Sequence, residues 1–235
     1  LAFNPAVSLM SEAISYLLLV LFLYSGYHIL GGKITLLFLA GSLFWTLPLE
    51  SFGVLMNFFS YEVQTSPYVY PRYLIWAGVV PFWISIGWFD VTFPAYHFSR
   101  TLLAKHDALV ASLVGGLIAV NMDLLIDPAA TSSHLWRWTH DSFYLFGVPV
   151  TNYVGWLLLS SLFLLVFDVT VVKRQHFKFL APIERVVCKR SQNIDSSFRN
   201  LIVTFFFRLF IFQLVFIGIY VPLLMSISRF ASMVG

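Results

Sequence analysis

Asp123 and Asp127 stand in the stretch NMDLLIDPAATSSHLWRWTHD, residues 121 to 141, at the end of an apolar run that otherwise suits lipid. Four residues apart on a helix, they share a face, with Cβ atoms roughly 5–6 Å apart. Two carboxyl groups this close, partly withdrawn from water, do not both ionise easily, which leaves a protonated acid beside a carboxylate base. Glu50, in LPLESFGVL, is the third acid of interest, since its own helix carries no cation and a carboxyl group inside a span is a functional hypothesis by default. Each acid also has a purely structural reading. Asp127, followed by Pro128, ends its helix in interfacial water; Asp123 bonds to backbone or to Arg137; Glu50 is a neutral acid bonded to a neighbouring helix.

Asn152 and Trp156 in NYVGW are again four apart and face together, with Gly155 permitting close helix approach. Trp136 and Trp138 in WRW, and Tyr68 and Tyr70 in SPYVYP, add aromatic faces. Such faces turned into a cavity stabilise a cation, although interfacial anchoring explains Trp and Tyr nearly as well. Other chemistries lack their residues. The six histidines form no HxxxH or HxxHH pair, Cys188 has no thiol or histidine partner at ligand spacing, and no GxSxG, Walker loop or GxGxxG occurs. The Asn121, Asp123, Asp127 spacing partly resembles the magnesium-diphosphate signature of intramembrane prenyltransferases, but no second acidic motif accompanies it. No metal site and no organic cofactor are implied.

The elements holding these residues must be membrane helices. The chain is 59% hydrophobic and 11% charged, with mean hydropathy +0.84, against about 25% charged residues in soluble domains. We read residues 1–235 as one integral membrane domain of the all-α class, a polytopic transmembrane helix bundle. Its spans lie near 9–30, 34–58, 73–99, 108–126, 150–172 and 201–228, each supplying the ~20 apolar residues that crossing requires. Residues 13–32 are too long and aromatic-rich for a signal h-region and read as a helix that stays. Pro48, Pro81 and Pro94 kink their helices or mark their ends. Within 127–149, TSSHLWRW begins with Thr and Ser cap candidates and predicts a short interfacial helix. No internal repeat is evident.

Lys and Arg counts set orientation. Loops after the first, third and fifth spans hold Lys33, then Arg100 and Lys105, then seven residues from Lys173 to Arg199, whereas the other side holds only Arg72, Arg137 and Arg229. The basic side is cytoplasmic and both termini lie outside, in a membrane we read as the prokaryotic cytoplasmic membrane. The basic 173–199 segment then lies near anionic lipid and implies no nucleic-acid partner. Glu50, Asp123, Asp127, Asn152 and Trp156 fall toward the outer ends of their helices; Asp90, His97 and Asp168 fall toward the cytoplasmic ends.

In order and approximate spacing, Glu50 with Gly53, YVY at 68–70, GVVPFWISIGW at 78–88, DLLIDPAA at 123–130, WRW at 136–138 and GVPVTNYVGW at 147–156 resemble the carotenoid biosynthesis membrane proteins. That family includes hydratases of acyclic carotenoid end groups, of the bisanhydrobacterioruberin hydratase type. The resemblance covers roughly residues 40 to 170 and departs in the second loop, where TSPYVY replaces a PFG-x-Y-x-Y pattern. It implies cofactor-independent hydration of a terminal C=C in a long isoprenoid lipid. Glu50, Asp123 and Asp127 would then handle protons, and Tyr68, Tyr70, Trp136, Trp138, Asn152 and Trp156 would bind substrate. Glu50, flanked by Leu49 and Phe52, and Asp123 are the expected proton donors, and Asp127 the expected base. A second reading, from the same residues, is a non-catalytic carotenoid- or lipid-binding subunit packed with partner chains in a larger membrane assembly. A third is polyprenyl transfer.

Overall fold

The computed structural model describes residues 5–61, 73–139, 143–175, 177 and 198–234. Its helices are α1 (Pro5–Ile29), α2 (Gly32–Leu55), α3 (Phe82–Leu102), α4 (Ala108–Ser132), α5 (Val150–Phe167, continued by a π-helical turn, Asp168–Val172) and α6 (Phe198–Val234). Five segments are long and apolar enough to cross a membrane: Ala6–Ile29, Gly32–Leu55, Ala108–Ser132, Val150–Val172 and Phe198–Tyr220. The chain is an integral membrane protein built as an all-α bundle. The less apolar helix, α3, packs against α1, α2 and α4, so its Asp90, Thr92 and Ser99 are buried in protein and need not suit lipid.

Three boundaries differ from the sequence reading. Residues 73–81 do not begin the third span; Trp76–Ala77 (β2) and Val80–Pro81 (β3) form a hairpin turned by Gly78 at φ 66, and α3 starts only after Pro81. The fourth span does not end at Asp127: α4 runs through Pro128 to Ser132, as membrane helices tolerate proline where neighbours satisfy the freed backbone. WRW is not an interfacial helix. Trp136–Trp138 (β4) pairs antiparallel with Phe59–Tyr61 (β1). The left-handed His134 (φ 56) stops α4, and residues alternating across a pleat put Trp136 and Trp138 on one face and Arg137 on the other.

The element order also repeats, which the sequence reading did not find. Helix, strand, hairpin, helix occurs as α2, β1, β2–β3, α3 and again as α4, β4, the hairpin of Tyr144–Leu145 (β5) with Val148–Pro149 (β6), and α5. The correspondence holds bond by bond. Phe58 N–H reaches Gly53 O at 2.9 Å, and Leu135 N–H reaches Ala130 O at 2.9 Å; Asn57 (φ 57) occupies the place of His134. Pro81 and Pro149 both precede their helices at φ −59, and Phe82 N–H to Ile75 O (2.9 Å) matches Val150 N–H to Phe143 O (2.7 Å). The β1–β4 pairing, with Ser60 opposite Arg137, joins the halves about a pseudo-twofold axis. Both α2 and α4 lead into that pairing, so they run the same way and the axis lies along the bundle.

The opposite end is closed by charge. Arg100 pairs with the buried Asp168, which also accepts from Tyr96 OH at 3.0 Å, and Lys33 lies over Phe198. Lys33, Arg100 and Lys173 thus gather at the end away from the strands. Proline sets one further contact. Pro48 has no N–H for the carbonyl of Phe44, and Gln213 Nε2 donates to that oxygen at 2.9 Å and to Trp45 O at 2.9 Å. Gln213→Leu in wild type is expected to lower stability by about 1–3 kcal/mol, since a buried carbonyl loses its donor. Thermal unfolding in detergent checks this, and Pro48→Ala should recover part of the loss.

Candidate functional site

The repeat brings its two acids together. Glu50 on α2 and Asp127 on α4 stand at equivalent places, nearly two turns before the matching C-caps, Met56 and Ser133, and both line a cavity of about 500 Å³. That volume falls within the range of ligand pockets. Its walls come from α1 through α6 and are mostly apolar.

Each acid has its own donors. Glu50 accepts from Tyr61 OH at 2.8 Å and from Trp88 Nε1 at 2.8 Å, so both carboxyl oxygens are engaged. Burial and the Glu50 carboxyl push the Tyr61 hydroxyl well above its ordinary pKa, so Tyr61 remains a donor. Asn152 Nδ2 donates to Asp127 Oδ2 and, at 3.2 Å, to Asp123 Oδ2. Asp127 is only 4% exposed and Asp123 wholly buried, so the expectation of a wet Asp127 at a helix end is corrected. Asp123 lies a turn deeper and off the cavity wall, and among the described residues its Oδ1 has no hydrogen-bond partner. It bonds to Asn152 rather than to Arg137, whose side chain is exposed on β4.

Aromatic rings complete the cavity. Trp88 and Trp156, equivalent in the two halves, stack face to face at 3.8 Å and 5°. Trp136 and Trp138 line the cavity's strand end with Phe59 and Tyr61; Trp136 approaches Trp83 at 6.3 Å and Trp138 meets Phe59 edge-on at 5.5 Å. Tyr68 and Tyr70 lie outside the described residues. Of the residues singled out from sequence, Glu50, Asp127, Asn152, Trp136, Trp138 and Trp156 share one cavity, and Asp123 supports it from behind. Sequence reasoning missed Tyr61 and Trp88 and placed Asp90 toward the cytoplasmic end, whereas Asp90 lines this same cavity. The signal for Trp88 was present: GVVPFWISIGW and GVPVTNYVGW each run from a Gly-Val turn through proline to Gly-Trp. Among the described residues, no group of three His, Cys, Asp or Glu side chains is arranged to hold a metal ion.

Fold and site together define a polytopic membrane protein whose buried carboxyl groups converge on an aromatic, apolar cavity. The chain belongs to the carotenoid biosynthesis protein family, whose model matches residues 7–232. It is 33% identical over 112 residues to the bisanhydrobacterioruberin hydratase of Haloarcula japonica; the match covers 47% of this chain and 35% of that protein. No solved structure matches it.

The equivalence of the halves gives a paired test of Asn152. Its counterpart, Ile84, makes no such bonds to acids, so Asn152→Leu is expected to destabilise the protein by about 1–3 kcal/mol by leaving Asp123 and Asp127 without their donor. Ile84→Leu should change stability by less than ~1.5 kcal/mol. Melting temperatures of the two variants in detergent check the difference.

Proposed function

We propose that the protein hydrates a terminal C=C of an acyclic carotenoid, with the end group in the cavity and the polyene extending along the bundle into lipid. The observation that carries this is the pairing, on one apolar wall, of an acid held between hydrogen-bond donors with a second acid held in a carboxyl pair. An isolated trisubstituted alkene must be protonated to a tertiary cation, which requires a neutral acid in an apolar site. Asp127, bridged to Asp123 by one amide and withdrawn from water, suits the acid that carries the shared proton. Glu50, whose oxygens face the donor-only Trp88 indole and the Tyr61 hydroxyl, suits the carboxylate.

The hydrogen bonds therefore favour the reverse of the sequence-derived division, with Asp127 as donor and Glu50 as base. Asp127 gives its proton to the less substituted alkene carbon. The tertiary cation forms against the indole faces of Trp156, Trp136 and Trp138, which stabilise positive charge. Water adds to the cation, Glu50 takes its extra proton, and transfer of that proton back to Asp127 restores the start. The net change is addition of one water and needs no cofactor. Clustering of Lys33, Arg100 and Lys173 at one end supports a cytoplasmic placement of that end, with the strand-covered cavity facing the outer leaflet.

Expression in a host making acyclic carotenoids tests the reading by mass spectrometry of the pigments. Wild type should yield products heavier by one water. Glu50→Gln and Asp127→Asn should each lower conversion by at least ~100-fold, as expected for loss of a general acid or base, with protein still in the membrane. Asp123→Asn, off the cavity wall, should slow conversion without abolishing it. Unchanged pigment co-purifying with active-site-intact protein would favour a binding role, and a product longer by one isoprenoid unit would favour transfer.

A further inference from the structure

The cavity is too small for the whole of a carotenoid. A space of about 500 Å³ suits a drug-sized ligand, whereas a carotenoid is a stiff chain of tens of carbons, so most of the chain must leave through the cavity wall. Neither end offers a way out. Toward the strands the buried side chains of Tyr61, Leu135 and Trp136 close it, and deeper in the bundle Phe38, Trp45, Phe89 and Phe163 pack as one core. The exit is therefore lateral, and the pseudo-twofold axis makes two lateral mouths equivalent. One lies over Gly87 of α3, flanked by α1 and α4; the other lies over Gly155 of α5, flanked by α6 and α2.

The second mouth is shut. Tyr220 of α6 puts its hydroxyl 3.0 Å from where a Cβ on Gly155 would stand, donates to the Thr151 carbonyl and stacks on Phe216 at 4.6 Å. The first mouth is open. Beyond its own stretch of α3, no atom lies within 4 Å of a Cβ built on Gly87, and Ile14 and Ile126 line the cavity yet remain 49% and 39% exposed. Ser11, Ile14 and Leu18 line it from α1, and Met122, Ile126 and Ala129 from α4, three or four residues apart and so in one stripe on each helix. These stripes are the sides of a groove that has Gly87 as its floor and continues the cavity to the lipid-facing surface. Ser11 donates to the Val7 carbonyl at 2.8 Å, so its hydroxyl is already paired beside an apolar chain.

We propose that this groove is the lateral portal of the site, in which the polyene lies over Gly87 between α1 and α4 while its end group reaches Glu50 and Asp127. A side chain at Gly87 would stand in the path of the chain. Because Tyr220 closes the equivalent path, the ligand has one way in, and its end group meets the two unlike acids in a fixed orientation. The proposal rests on reading the cavity as a carotenoid end-group site and adds the side on which the chain meets lipid.

The test compares two probes in nanodiscs by quenching of tryptophan fluorescence: an acyclic carotenoid hydrocarbon, and a short conjugated polyene with the same end group that the cavity can enclose. Gly87→Phe should weaken binding of the long probe about tenfold or more, since the added ring fills the space the chain needs, and leave the short probe within about threefold. The pair Ile14→Phe with Ile126→Phe, which narrows the exposed rim and leaves α3 intact, should do the same. Unchanged binding of the long probe in both variants would overturn the portal. Equal losses for both probes would also overturn it, because the substitutions would then act on the cavity itself. Conversion to products heavier by one water is read separately: probes that wild type binds but leaves unconverted would overturn hydration, while the portal stands on the chain-length difference. Failure of wild type to bind the long probe would overturn the portal and the carotenoid reading together.

Discussion

Carboxyl groups held away from water are expensive unless each finds donors, and that constraint organises this bundle. Glu50 draws a tyrosine from β1 and an indole from α3, while Asp123 and Asp127 share an amide from α5. None of these donors lies on the helix of the acid it serves. The helices must therefore approach closely: a Cβ on Gly116 would collide with Ser161 and stand 2.9 Å from the Leu157 carbonyl, so α4 and α5 pack here only around glycine. The same constraint explains why the strands exist. Tyr61 reaches Glu50 because β1 is anchored by pairing with β4 across the pseudo-twofold axis.

The internal repeat gives this arrangement its logic. Two copies of one helix, strand, hairpin, helix unit place one acid each at the axis, and the stacked indoles of Trp88 and Trp156 join the copies beneath them. The proposed acid chemistry needs the two carboxyl groups to differ, and the halves do differ around them. Tyr61 corresponds to Trp138, Asn152 to Ile84, and Asp123 to Thr46. One acid thus sits between two donors, and the other sits in a carboxyl pair. Protein not included in the repeat, α1 and α6, covers the two sides unequally and leaves room over Gly87 that Tyr220 fills over Gly155.

Much of this was legible in sequence. Apolar runs gave the spans, and acids or amides four apart gave the shared faces, because helical periodicity alone decides which residues lie together. The strands were not legible. FSY and WRW are three-residue segments whose pairing depends on a partner far along the chain, and Thr131 and Ser132, the last residues of α4, read equally well as caps of a helix start. Asp127 was placed in water because proline usually ends a helix, but protein packed around α4 satisfies the freed backbone. The repeat escaped notice for a related reason. Beyond the Gly-Val, proline and Gly-Trp positions, what its halves share is turn geometry and capping bonds at Asn57 and His134, residues of different type in the same left-handed conformation.

The most direct measurement of the central claim is the origin of the oxygen. Purified protein in lipid, supplied with an acyclic carotenoid in oxygen-18-labelled water, should give an alcohol containing one labelled oxygen, with or without molecular oxygen present. Water carried through to a tertiary carbon is what protonation by one acid and deprotonation by the other require. An alcohol carrying unlabelled oxygen, formed only when molecular oxygen is supplied, would contradict the account.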